Sequence, residues 1–431
     1  MKKNLPLLIL GLGLLTCPGL SWAQNVTSAN ITSCSADAKA AAVNVKLTGT
    51  LTTTNNGDFR QLRDLCCNMV SLDLSSATCS SIPKNAMHSR HLLKTLVLPN
   101  NLSTIGTQAF FACDALQSLT LPSSVNNIGA SAFAQCKSIT TLSIPENSGL
   151  YNIGSYAFEG CESLSGTINI PTKVLNLRDG VFAGCKNIEG VSLPSNLQSI
   201  GANAFAGCEK LTGEVALGRM ITRIGASAFA DCKSLTEINM PRGLQILGDA
   251  AFMGCDKLAG SIVLPSNTVQ IGKGAFMGCS SLESIVIPAD VSEIKAATFA
   301  GCTSLQTINI YASTPIPANA TAFAGLDCSQ ITLNVPEGSE EAYKEAPVWK
   351  NFNIKVATSI NNAESLSNVS ASVEDGRVWI KGIPQASTVK LYNVQGQLLS
   401  STLAEGTASF SLQNRGVYIV KVNGSSFKVQ Y

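Results

Sequence analysis

The feature that most constrains the fold is a phenylalanine that returns every 23–25 residues through the middle of the chain. Met87 stands 23 residues before the first of them and extends the series. The phenylalanines are Phe110, Phe133, Phe158, Phe182, Phe205, Phe229, Phe252, Phe276, Phe299 and Phe323. A fixed period of this length indicates a repeat architecture, in which each repeat buries its apolar edge only against its neighbours. The sequence therefore predicts a solenoid of stacked coils.

The same consensus surrounds each phenylalanine: L-x-x-I-G-x-x-A-F-x-G-C-x-x-L-x-x-L-x-L-P. The segment before the proline alternates apolar and polar residues, which is typical of a short strand. Proline ends the strand because it has no N–H to donate to a ladder. The aliphatic pair and the phenylalanine are predicted to point inward, and the glycine after the isoleucine, as at Gly129 and Gly225, is predicted to allow a tight turn.

These repeats, over residues 85–335, resemble the BspA-like leucine-rich repeats of bacterial cell-surface and secreted proteins. The resemblance implies a curved repeat solenoid of about 11–12 coils of 23–25 residues, with a parallel sheet on its concave face. Terminal coils need caps because they expose the core of the stack. We expect residues 24–84 to form the N-terminal cap and first coil, and residues 336–356, with their aromatic side chains, to form the C-terminal cap.

Nine cysteines each follow a repeat phenylalanine by three residues and are therefore expected to stack as a column. They are Cys113, Cys136, Cys161, Cys185, Cys208, Cys232, Cys255, Cys279 and Cys302. A disulfide ladder would leave one of the nine unpaired, and zinc needs converging ligands rather than a row, so the column is interpreted as buried thiols. Four other cysteines, Cys34, Cys66, Cys67 and Cys79, lie in the N-terminal cap, where disulfides and free thiols both stay open.

The N-terminus has the pattern of a secretory signal peptide over residues 1–23. Two lysines precede an apolar run from about Leu5 to Leu15, and the small residue Ala23 provides a cleavage position. The run is too short to span a bilayer, and no later run of 18 or more apolar residues follows. We therefore expect a mature chain outside the cytoplasm without a transmembrane span.

The C-terminal region departs from the repeat. Residues 357–372 are interpreted as a linker, and residues 373–431 as a small β-sandwich of short alternating strands. This segment resembles the C-terminal sorting domains of the type IX secretion system at Leu391–Asn393, at Gly416–Val422 and in the strand that ends at Tyr431. The resemblance implies the type IX machinery as a partner and a secreted or cell-surface location in a Gram-negative bacterium. A plain immunoglobulin-like stalk domain is the alternative.

Charge and motif content argue against several classes of function. The net charge of +2 makes a nucleic-acid partner unlikely, because such binding depends on an excess of basic residues. His88 and His91 form an H-x-x-H without a clear third ligand, and they are the best candidates for a hydrolase. They are interpreted as surface histidines, and we expect no catalytic residue, no metal and no cofactor.

The remaining candidate is the outward face of the strands. Aligning the repeats gives a row of small, nearly uncharged side chains, one from each strand, which cannot steer a partner by charge. The candidate partner-binding residues are Thr120, Ser143, Asn169, Ser192, Asn239, Val263, Val286 and Asn309. The row predicts adhesion to an extracellular protein, either host matrix or a bacterial partner. A structural scaffold or a ligand-capture protein is the alternative.

Overall fold

The computed structural model describes residues 25–27, 42–52, 57–357, 370–374, 377–393, 397–412, 416–422 and 425–430. The proposed signal peptide, Cys34 and most of the expected linker lie outside these residues. The contacts divide the chain into two compact units, Met1–Leu164 and Ser165–Tyr431. None of the helices in the described stretches combines the length and apolarity that crossing a membrane requires.

The first unit builds three parallel sheets from its coils: two contain the longer strands, and one, called the second sheet, contains two-residue strands. Its elements are β1 (Asn25–Thr27), β2 (Asn44–Thr50), α1 (Gly57–Leu65), β3 (Ser71–Thr78), β4 (Ser81–Ile82), β5 (Thr95–Val97), β6 (Thr104–Ile105), β7 (Ser118–Thr120), β8 (Asn127–Ile128), β9 (Thr141–Ser143) and β10 (Asn152–Ile153). Strands β1, β2, β3 and β5 form one sheet in that order, and β7 pairs with β9. The two-residue strands β4, β6, β8 and β10 form the second sheet. The repeat predicts the strand before the proline, whereas the second sheet, at the isoleucine of L-x-x-I, emerges only from the structure.

The second unit repeats this design. Its coil elements are β11 (Gly166–Asn169), β12 (Asn176–Leu177), β13 (Ile188–Ser192), β14 (Ser199–Ile200), β15 (Gly213–Ala216), β16 (Arg223–Ile224), β17 (Leu235–Asn239), β18 (Ile246–Leu247), β19 (Gly260–Val263), β20 (Gln270–Ile271), β21 (Leu282–Ile287), β22 (Thr307–Ile310), the 3-10 turn Cys328–Gln330, β23 (Thr332–Val335), α2 (Glu340–Glu345), the 3-10 turn Trp349–Asn351 and β24 (Asn353–Val356). Strands β12, β14, β16, β18 and β20 form one parallel sheet. On the other side of the coils lie β11 with β13, β15 with β17, and the run β19-β21-β22-β23-β24. The predicted repeat solenoid with parallel strands is confirmed.

The repeat phenylalanines form a buried column within each unit. Phe205 is fully buried, and its ring stacks on those of Phe182 and Phe229 at centroid distances of 5.8 and 5.3 Å. The backbone at these turns also links the coils, since Phe205 N donates to Ala228 O at 2.8 Å. The phenylalanine turn is therefore a third line of coil-to-coil hydrogen bonds, and it satisfies N–H groups that burial would otherwise leave unpaired.

The column cysteines are buried thiols, as the sequence predicts. Cys232 Sγ donates to the carbonyl oxygen of Phe205 in the preceding coil at 3.2 Å, and Cys255 Sγ to that of Phe229 at 3.1 Å. In the N-terminal cap, Cys67 is an exposed thiol, and Cys79 Sγ donates to Ser81 O at 3.0 Å.

The glycine after each isoleucine has a different role from the one expected. Gly225 does not have a positive φ, so a tight turn is not its reason. A Cβ at Gly225 would lie 2.5 Å from Ala202 N and from Gly201 C in the preceding coil. The glycine is needed because two backbones approach too closely for any side chain.

Aromatic side chains close the last coil. The rings of Trp349 and Phe352 contact Phe323 edge-on, at centroid distances of 5.6 and 4.9 Å. Two hydrogen bonds fix this segment, because Tyr343 Oη donates to Ala312 O at 2.9 Å and Trp349 Nε1 donates to Ile316 O at 2.6 Å. The segment thus covers the apolar end of the stack with side chains whose polar atoms are satisfied.

The second unit continues into five antiparallel strands. They are β25 (Ser370–Glu374), β26 (Arg377–Asn393), β27 (Leu398–Ser411), β28 (Val417–Val422) and β29 (Ser425–Gln430). The order is β25-β26-β28-β29, and β27 also pairs with β26.

The antiparallel strands agree in part with the predicted β-sandwich, since the region is antiparallel and all five strands belong to one hydrogen-bonded sheet. The first part of β26 pairs with β25 and its last part with β28, so one continuous strand belongs to both halves. Val378 from the first part and Leu391 from the last part belong to the same buried cluster. The register of β26 shifts after Lys381 and Ile383, and such irregularities bend a strand so that one sheet can enclose its own core.

Candidate protein-binding face

The strand register brings the candidate residues together in short rows. In the first unit, Thr120 on β7 stands opposite Ser143 on β9. In the second unit, Asn169 stands opposite Ser192, Asn239 stands opposite Ala216, and Val263, Val286 and Asn309 follow one another on β19, β21 and β22. Most of these positions alternate with buried or half-buried side chains, so each row lies on the outer face of its sheet.

Most of these side chains are accessible, but one is not. Thr120, Ser143, Asn169 and Ser192 are exposed, and Asn239 and Asn309 are half-buried. Val263 is 38% exposed, whereas Val286 is only 9% exposed. Val286 therefore presents little of its side chain to a partner, although it stands between Val263 and Asn309 in the row.

Amide side chains connect neighbouring coils along the outer face. Asn334 Nδ2 donates to Asn309 Oδ1 at 2.8 Å. Asn239 Nδ2 similarly donates to Glu214 Oε1. These hydrogen bonds use only part of each side chain, so further donors and acceptors stay available to an extended partner.

A second outward row lies two residues before the first and is not among the predicted binding positions. In β15 and β17 it contains Glu214 and Glu237, which stand directly opposite each other. The same position is Ser261 in β19 and Ser284 in β21. The expectation of a nearly uncharged face is therefore incomplete. The period of two along a strand is the signal that could have revealed this row.

The first unit has a charged pair on the same kind of surface. Lys46 Nζ on β2 lies 3.0 Å from Asp73 Oδ2 on β3. Burial disfavours the charged carboxylate of Asp73, but hydrogen bonds from Ser75 and the charge of Lys46 outweigh it, and the pKa of Asp73 is lowered. The pair is neutral overall and leaves this end of the face without a net charge.

The two histidines are each engaged by different neighbours. The His88 ring stacks on Phe111 with centroids 4.9 Å apart, and its Nδ1 lies 2.7 Å from Ser89 Oγ. His91 Nδ1 lies 3.0 Å from Asp114 Oδ1. Burial, followed by the charges of Arg63 and His91, lowers the pKa of His88. Among the described residues, no group of three or more His, Cys, Asp or Glu side chains has the arrangement of a metal site.

The column thiols are poor nucleophiles. Burial raises the pKa of Cys113, Cys232 and Cys302 to about 12. A thiol reacts as its thiolate, and a cysteine in apolar surroundings is chemically inert at neutral pH.

Comparison with known families agrees with this architecture. The model of the BspA type leucine-rich repeat region matches residues 38–140, 80–212 and 222–353, with six copies. These segments cover more than half of the chain, so the protein belongs to the BspA-type leucine-rich repeat family. No curated protein matches it.

Several solved structures are similar to this chain. A leucine-rich cell surface protein from Faecalibacterium prausnitzii is 27% identical, with a TM-score of 0.42, covering 66% of this chain and 84% of that one. A leucine-rich repeat protein from Bacteroides ovatus is 26% identical, with a TM-score of 0.48, covering 73% and 87%. The pneumococcal vaccine antigen PcpA is 19% identical, with a TM-score of 0.42, covering 73% and 85%.

Proposed function

We propose that this protein is an exported adhesin that binds an extracellular protein, from host matrix or from another bacterium, through the outer face of its strands. The observation that carries the proposal is the alignment of small polar side chains on neighbouring strands, as at Asn169 and Ser192. Parallel strands lie about 4.8 Å apart, which offers donors and acceptors at a regular spacing. Repeat proteins commonly bind partners with such extended surfaces.

The proposal assigns the chain no enzymatic activity. The family consists of repeat proteins, the histidines have separate neighbours, and the column thiols have raised pKa values. A long, regular surface without reactive side chains is suited to binding a partner rather than to catalysis.

Export is proposed on the sequence patterns at the two ends. Residues 1–23 would act as the signal peptide, and the C-terminal sheet would act as a type IX sorting domain. Two of the segments that resemble such domains are neighbours in the fold, since Tyr392 on β26 pairs with Ile419 on β28. A secreted or outer-membrane surface location in a Gram-negative bacterium follows from this proposal.

Adhesion is tested by the binding of purified protein, residues 24–431, to immobilised matrix proteins and to bacterial cells. Ser192→Lys places a bulky charge on the proposed face, while Gln245→Lys places the same charge at an exposed position before β18. We expect Ser192→Lys to weaken binding about 10-fold or more and Gln245→Lys to leave it unchanged. Absence of binding to every matrix protein and cell would refute adhesion, and concentration-dependent self-association would favour a scaffold.

Export is tested by protease shaving of intact cells of the producing strain, followed by mass spectrometry. Release of coil peptides from a mature form without the C-terminal sheet supports sorting. A full-length chain retained in the periplasm contradicts it.

A further inference from the structure

The acidic pair of the outer face is the least expected feature of the coils. Glu214 and Glu237 stand opposite each other on β15 and β17, and like charges placed directly opposite destabilise a sheet. Ser261 and Ser284 hold the corresponding positions in β19 and β21, so the coils form without this charge. The two glutamates thus lower the stability of this pair of strands, and packing of the coils does not explain why they are present.

The ammonium group of Lys421 contacts both glutamates of this pair. Lys421 Nζ lies 2.8 and 2.9 Å from the two carboxylate oxygens of Glu237 and 3.7 Å from Glu214 Oε2. The Lys421 side chain is 23% exposed, and those of Glu214 and Glu237 are 28% and 41% exposed. Lys421 Nζ also lies 5.8 Å from the ring centroid of Tyr392. The ammonium therefore contacts two carboxylates of the coils, whereas the aromatic ring comes from β26, a strand of its own sheet.

The ammonium comes from an element remote in sequence. Lys421 lies on β28, 184 residues after Glu237. Its neighbours Val420 and Val422 are buried in the core of the C-terminal sheet, so Lys421 points away from that core. The C-terminal sheet thus reaches the outer face of the coils through a complementary charge.

The electrostatics agree with this geometry. Burial alone disfavours the charged ammonium, but the hydrogen bond and charge of Glu237, together with the charge of Glu214, outweigh it. The pKa of Lys421 is consequently raised.

We propose that Glu214 and Glu237 form a recognition site for a lysine or arginine side chain of an extended protein partner, and that Lys421 occupies this site in the full chain. The inference rests on the proposed binding function and names the chemistry of the partner: a basic segment that lies across β15 and β17. Lys421 acts as an internal competitor, so displacement or removal of the C-terminal sheet opens the site.

The test uses the purified chain, residues 24–431, and a fluorescein-labelled peptide of serine and threonine with two lysines at alternate positions. A matched peptide carries glutamine instead of lysine. Wild type, Lys421→Ala, and Lys421→Ala combined with Glu214→Gln and Glu237→Gln are compared by fluorescence anisotropy at low salt. Lys381→Ala, an exposed lysine of β26, serves as the control.

We expect Lys421→Ala to bind the lysine peptide about 2- to 5-fold more tightly than wild type, because a partly exposed ion pair competes by about that factor. The Lys381→Ala variant should bind like wild type, and the glutamine substitutions should abolish the gain. Thermal unfolding of each variant checks that it is folded. Equal affinity of wild type and Lys421→Ala, or an unchanged gain after the glutamine substitutions, overturns the inference.

The same variants separate this inference from the adhesin proposal. If Lys421→Ala gains affinity for the lysine peptide but no matrix protein or cell is bound, the acidic site stands and adhesion fails. If adhesion is observed and the glutamine substitutions leave both peptide and matrix binding unchanged, the acidic site fails and adhesion stands.

Discussion

Alkaline pH should destabilise this protein far more steeply than an ordinary protein, because its coils bury a column of thiols. Burial raises the pKa of seven of these cysteines from an ordinary value of 9.0. They are Cys113, Cys136, Cys208, Cys232, Cys255, Cys279 and Cys302. Deprotonation in the folded state would bury charged thiolates in an apolar column. The thiols therefore lose their protons only when the coils unfold.

The magnitude follows from proton linkage. Well below pH 9 the folded and unfolded chains hold the same thiol protons, so these groups do not affect stability. Above pH 9 the unfolded chain releases protons that the folded chain keeps, and the free energy of unfolding falls as the pH rises towards about 12. By pH 10 each thiol costs about 1.4 kcal/mol, and seven together cost on the order of 10 kcal/mol. That loss is comparable with the whole stability of a typical domain, about 5–15 kcal/mol.

The assay is urea unfolding at pH 8, 9 and 10, followed by circular dichroism with a reductant present. A variant with Cys208→Ala and Cys232→Ala is the control, because it keeps every lysine and tyrosine that titrates nearby. The variant should start with a lower midpoint at pH 8, and its free energy of unfolding should fall with pH about a quarter less steeply than that of wild type. An urea midpoint that does not change between pH 8 and 10, or equal slopes in the two proteins, would refute the argument.

Two further substitutions test the packing of the coils. Phe205→Ala removes a fully buried ring that stacks on two neighbours, and we expect the free energy of unfolding to fall by about 3–5 kcal/mol in urea titrations at pH 7; a loss below about 1 kcal/mol would contradict the column. Gly225→Ala would place a Cβ 2.5 Å from backbone atoms, whereas the nearest atom to a Cβ at Gly149 is 3.7 Å away. Gly225→Ala should therefore lower the urea midpoint well below that of Gly149→Ala, and equal midpoints would show that the coils can separate without cost.

The repeat predicts much of the coil because each coil poses the same packing problem. The inward positions of Phe205, Cys232 and the strand residues can be identified from spacing alone, since identical positions must stack on one another. The second sheet was missed because a strand of two residues, such as β18, is too short to show an alternating pattern. The role of Gly225 cannot be read from the sequence, because a close approach of two backbones and a tight turn both favour glycine.

The candidate face is predictable only in part. The row containing Asn169 and Ser192 follows from the alternation of strand residues. The burial of Val286 does not follow from this alternation, because an outward position in a strand does not determine whether neighbouring residues cover the side chain. The shape of the C-terminal sheet also depends on tertiary packing. The register shifts within β26 bend one continuous strand, whereas the sequence suggested two separate strands.

By itself, the sequence determined the period of the coil, its buried columns and the strand before each proline, because these properties recur at a fixed spacing and each instance supports the others. Only the tertiary structure decided that Lys421 meets Glu214 and Glu237. Glu237 and Lys421 are 184 residues apart. Glu237 lies in a coil and Lys421 in the C-terminal sheet, and the repeat that relates the coils to one another does not extend to that sheet. A contact of this kind depends on how the chain brings distant elements together, which periodicity along the sequence does not encode.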